Sequence, residues 1–125
     1  MAEKTPAEKM RLKPRMTAAL LHVPETMLPR LGLPGDVAMV GEAAQADFVL
    51  DFASTQAEAE LRLAELRPFL REKTVVWLAY PKGSKAAGHD LSRDTIWAFA
   101  RTIGLVLVSN IAVDETWSAV RLLPE

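Results

Sequence analysis

Thr74-Val75-Val76-Trp77-Leu78-Ala79-Tyr80 leads directly into Pro81-Lys82-Gly83-Ser84-Lys85. The first part is a near-continuous apolar run, rich in β-branched and aromatic residues, with the character of a strand buried on both faces. The second part breaks that strand with Pro81 and Gly83 and places two cations, Lys82 and Lys85, close together. Doubly buried strands belong to sheets with a layer on each side, and open α/β sheets bind ligands beyond the carboxyl ends of such strands. This junction therefore sets both the expected fold and the first place to look for a site.

Upstream of it, residues 1–15 carry five basic side chains against two acids, with Pro6 and Pro14 and few apolar residues. They read as a solvated, flexible basic arm, with a single α/β domain over 16–125. Thr17 to Val23 reads as a first buried strand, stopped by Pro24. Pro24 to Leu28 can open a short helix that Pro29 limits. His22 reads as a packed residue with one hydrogen bond, since no second ligand lies at a metal-binding spacing from it. A second strand covers Asp36 to Val40, and a turn of helix is expected over 42–46. A third strand covers Asp47 to Phe52, with Asp51 near the carboxyl end, on the same rim as Lys82 if the strands are parallel.

Ser54 to Glu65 gives the clearest helix. Thr55 and Glu58 fit a capping box, Ala59, Leu63, Leu66 and Leu70 form one apolar stripe, and Pro68 ends the helix. Downstream of the central strand, Ser92 is the expected N-cap of another helix, with Leu91 and Ile96 at staple spacing and Gly104 after its end. Leu105 to Val113 and Thr116 to Leu123 then read as two strands joined by Asp114-Glu115, an antiparallel hairpin.

Strands alternating with helices predict a mostly parallel sheet. The chain is accordingly read as an α/β protein, a Rossmann-like three-layer sandwich with a C-terminal antiparallel hairpin. Right-handed crossovers place strand one in the middle, strand two outside it, and strands three and four on the other side. The hairpin lies beyond strand four, with its last strand inserted next to it.

Composition excludes several classes. Net charge is −1, so a nucleic-acid partner is not favoured. The chain has no cysteine, which removes disulfides, thiolate metal sites and Cys nucleophiles. No apolar leader follows Met1 and no run has the length of a membrane span, so a soluble cytoplasmic protein without membrane contact is expected.

Val76 to Lys82, then Asp90-Leu91-Ser92-Arg93-Asp94, then Ala112 to Ser118 with Arg121, resemble a family of small bacterial proteins of the DUF3052 type. The match covers residues 74–123 well and residues 17–73 in pattern, and the resemblance brings no activity with it. The same half is also similar to the end of a class I methyltransferase. Such enzymes have a Gly-rich turn after strand one, where this chain has His22-Val23-Pro24-Glu25-Thr26, and no Gly-x-Gly occurs anywhere.

The densest donor set is Lys82, Ser84, Lys85, His89 and Arg93, which could hold a phosphate or carboxylate, although the P-loop spacing is absent. Asp114, Glu115, Trp117 and Ser118 form a second cluster, with paired acids and an aromatic anchor. Neither metal site, catalytic residue nor cofactor is expected from these patterns. The leading expectation is a non-catalytic domain that binds a protein partner or a small anionic ligand at the Lys82–Arg93 rim. The alternative is a degenerate methyltransferase-like or nucleotide-binding enzyme, which requires a concave pocket above strands one and three.

Overall fold

The computed structural model describes residues 5–13, 15–33, 35–71, 73–82 and 91–124. Six strands form one sheet: β1 (Thr17–Leu21), β2 (Ala38–Met39), β3 (Phe48–Phe52), β4 (Val75–Pro81), β5 (Leu105–Ala112) and β6 (Trp117–Pro124). Their spatial order is β2-β1-β3-β4-β6-β5. The first four are parallel, β6 runs antiparallel to β4, and β5 pairs antiparallel with β6. This is the Rossmann-like arrangement expected, including the inserted last strand.

β3 and β4 are buried along almost their whole lengths, because each face of the sheet has its own cover. On one face Val49, Val76, Leu78 and Tyr80 pack beneath two helices, α2 (Gln56–Leu66) and α3 (Arg93–Thr102). On the other, Phe48, Leu50, Phe52, Trp77 and Ala79 pack against the N-terminal segment and the connection after β1. The two helices obey the local signals. Thr55 Oγ1 accepts the Glu58 N–H, but the Glu58 carboxylate takes the Ser54 N–H instead of closing the capping box on Thr55. Ser92 caps α3 in a box with Thr95, Leu91 and Ile96 are both buried, and Gly104 takes a left-handed turn (φ +76°) after the helix. Pro68 sits in a 3₁₀ turn, Arg67–Phe69, just past the end of α2.

Two expectations need correction. The first concerns the N-terminal arm, which is packed. Thr5 caps a short helix, α1 (Pro6–Lys9), by accepting the Glu8 N–H, while Ala7, Met10 and Leu12 are buried. The apolar residues hidden among the charges face the sheet, and the buried Trp77 indole Nε1 donates to the Met10 carbonyl at 2.8 Å. The second concerns the helix expected over 24–28. It is replaced by a 3₁₀ turn, Leu28–Leu31, because Pro29 has no N–H to give and fits only a first turn. Gly32 ends that turn at φ +66°, and a Cβ there would stand 2.6 Å from the Thr5 Cβ. The turn of helix expected over 42–46 is present as a 3₁₀ turn, Ala43–Gln45.

Trp77→Phe leaves the Met10 carbonyl without its buried donor and should lower stability by about 1–3 kcal/mol, read from urea denaturation. Gly32→Ala combines the positive φ with a close approach to the Thr5 side chain that leaves no room for a methyl group. It should cost about 1–3 kcal/mol in the same measurement.

Candidate functional site

Strand order reverses between β1 and β3: the chain leaves β1 for β2 on one side and returns to β3 on the other. At such a reversal the two connections diverge and leave a crevice beyond the carboxyl ends of the strands. A cavity of about 360 Å³ lies there. Leu21 at the end of β1, Leu66 on α2 and Phe69 give it apolar walls, and Gly41 and Glu42 follow β2 along its rim. Among the described residues it is the concave pocket above strands one and three that the methyltransferase-like alternative requires.

Its polar floor is built by register. Leu21 and Asp51 are aligned partners in neighbouring strands, so the next residue, His22, reaches the Asp51 side chain. Nδ1 of His22 lies 2.7 Å from Oδ1 of Asp51, a carboxylate only 2% exposed. The same Oδ1 accepts the Phe52 N–H at 2.9 Å, and Nε of Arg62, from α2, lies 3.4 Å away. Arg62 is fixed in turn by donating Nε to the Phe52 carbonyl at 2.6 Å and by pairing with Glu58. Burial pushes the Asp51 carboxyl up from its ordinary value. The His22 hydrogen bond, the charges of His22 and Arg62, and the Phe52 N–H pull it back without cancelling that rise. Among the described residues no group of three or more His, Asp or Glu side chains is placed to hold a metal ion.

The residues singled out from sequence fall elsewhere. Ser84, Lys85 and His89 lie outside the described residues. Lys82 follows β4, gives its backbone N–H to the Thr116 carbonyl at 2.8 Å, and lines a surface cleft with Lys9, Arg30, Asp114 and Glu115. Part of the cationic cluster and part of the acidic one therefore share a cleft. Arg93 opens α3, does not line that cleft, and has its Nε 3.9 Å from Asp94.

Asp114 serves the hairpin. Its Oδ1 accepts the Thr116 and Trp117 N–H groups at 2.8 Å each, and Oδ2 meets Arg30 at 3.1 Å. Burial pushes that carboxyl up, but the two backbone donors and the Arg30 guanidinium outweigh it and hold it below the ordinary value. Trp117 packs edge-on against Phe52, with ring centroids 5.0 Å apart, and Ser118 is a ladder residue paired with Tyr80 and Ala112.

His22 and Asp51 were thus not joined from sequence, and the signal that joins them is topological. Once β1 and β3 are neighbours in parallel register, the residues at their carboxyl ends meet.

No family model matches the chain, and no curated protein matches it either. The DUF3052-type resemblance therefore rests on the motifs quoted above. Solved structures do match in fold. Ribosomal protein L11 methylase from Lactobacillus delbrueckii subsp. bulgaricus superposes with a TM-score of 0.58 at 12% identity, covering 96% of this chain and 75% of the methylase. The PH0226 protein from Pyrococcus horikoshii gives 0.60 at 10% identity, over 96% and 88%. Magnesium protoporphyrin IX methyltransferase from Synechocystis, with bound SAH, gives 0.57 at 9% identity, over 95% and 78%. At this identity the likeness establishes the fold: a Rossmann-like sheet of the kind methyltransferases use.

The two carboxyls predict opposite pH responses. Asp51, raised in the fold, contributes stability that is complete below 3.8 and is lost as pH rises through its folded value. Asp51→Asn should therefore flatten the stability curve just above 3.8. Asp114, lowered in the fold, contributes stability above 3.8 that is lost as pH falls through its folded value. Asp114→Ala should cost about 1–2 kcal/mol at neutral pH and progressively less in acid. Urea denaturation midpoints from acidic to neutral pH check both.

Proposed function

We propose that this chain is a methyltransferase-like protein with a reduced site, whose cavity takes an S-adenosyl or other nucleoside ligand. The observation that carries the reading is the position of Glu42. It follows the carboxyl end of β2, lines the cavity at the strand-order reversal, and lies about twenty residues beyond the turn that ends β1. An acid at that spacing is the usual partner of ribose hydroxyls in dinucleotide-binding sheets. The residues fit the nucleoside part of such a ligand: Glu42 would take the ribose hydroxyls, and Phe69 and Leu66 offer apolar surface to a base. The fit to the rest of the ligand is poorer. His22 to Thr26 contains no glycine, so close approach of ligand to backbone after β1 is restricted. An S-adenosyl ligand would bring an activated methyl group, and one structural neighbour is a methyltransferase with bound SAM.

The anion-binding reading at the Lys82–Arg93 rim has less support. Lys82 shares its cleft with two carboxylates, Asp114 and Glu115, and Arg93 does not line it.

Calorimetric titration of the full chain with S-adenosylhomocysteine and with adenosine should show binding, weakened about tenfold or more by Glu42→Gln. No heat from either ligand at millimolar concentration would overturn the proposal.

A further inference from the structure

His22 follows β1 with φ +56°, a conformation that residues with side chains seldom adopt. Strain of this kind persists where the surroundings hold it, and here they hold the ring. The 2.7 Å bond to Asp51 fixes its orientation. An ionised carboxylate only accepts, so Nδ1 carries the hydrogen and, in the neutral ring, Nε2 keeps its lone pair. Asp51 is immobilised in turn by the Phe52 N–H and by Arg62, and is buried. The ring it supports lines the cavity and is 52% exposed. A fixed tautomer, a buried carboxylate behind it and, among the described residues, a second ring nitrogen without a partner on a ring that lines the cavity are the parts of a general base.

We infer that Nε2 of His22 is the proton acceptor of this cavity, with Asp51 as its positioning residue, and that it serves a small ligand losing a proton from a hydroxyl group or from water. In that step the O–H bond breaks, an Nε2–H bond forms, and the imidazolium is neutralised by the Asp51 carboxylate while the oxygen keeps the electron pair. Among the described residues, the charged groups round the cavity that the ring lines are Glu42 after β2, Asp51 on β3, and Arg62 and Glu65 on α2, with Glu58 paired to Arg62. The inference stands apart from the nucleoside reading, since it needs the cavity and the ring but no particular cofactor.

The test uses p-nitrophenyl acetate, a small neutral ester, with the full-length protein. His22 takes a proton from the water that attacks the acetyl carbonyl; p-nitrophenolate leaves, acetic acid forms, and the imidazolium returns its proton to solvent. Hydrolysis above the buffer rate should fall about tenfold or more in His22→Gln and in Asp51→Asn. Equal rates for the unmodified protein and His22→Gln would overturn the inference, and an Asp51→Asn rate equal to the unmodified one would remove the role of Asp51. Nitrogen-15 NMR of the unmodified protein supplies a readout that no misfolded variant can spoil. The Nδ1–H tautomer of His22 is expected, and finding the hydrogen on Nε2 would overturn the assignment.

Discussion

The hydrogen bond from Trp77 to the Met10 carbonyl ties the middle of β4 to the end of α1. A strand buried on both faces requires cover on both, and both full-length helices, α2 and α3, lie on one side. The opposite face is left to a four-residue helix, a 3₁₀ turn and irregular chain, elements with little cohesion of their own. Trp77 fills the centre of that face and satisfies its indole N–H on the one segment that must stay in place. Gly32 completes the clamp by letting the turn after β1 lie against Thr5.

The same economy of connections shapes the cavity. Between β2 and β3 the chain crosses with only a 3₁₀ turn, and the space beside α2 above β1 stays open. Into it come the residues that end β1 and β3, the two strands on either side of the reversal. The pair His22–Asp51 is thus a product of strand order and register. The burial that raises the Asp51 carboxyl comes from its position in a central strand.

Much of this architecture was legible in the chain. The unbroken run at Thr74–Tyr80, the caps at Thr55 and Ser92, Gly104 and the Asp114 hairpin each carry a local signal, and together they order the sheet. The N-terminal segment carries no such signal, because Ala7, Met10 and Leu12 are too few and too dispersed among five cations. Their burial is decided by the sheet face they meet, which no local window contains. The site is hidden in the sequence for a related reason. Lys82, Ser84, Lys85, His89 and Arg93 are neighbours in sequence, whereas His22, Glu42, Asp51 and Arg62 are brought together only by folding. A lone His and a lone Asp carry no signal until the strands holding them are placed side by side.

The sheet has two open sides, and both are poor templates for another chain. On one, β2 has only two ladder residues. On the other, the register of β5 with β6 slips between Leu107 and Ser109 and leaves Val108 out of the ladder in the middle of the exposed strand. Irregularities of this kind turn an edge away from straight pairing. Neither edge strand contains a lysine or a proline, so the shortness of β2 and the slipped register of β5 are what interrupt straight edge-to-edge pairing.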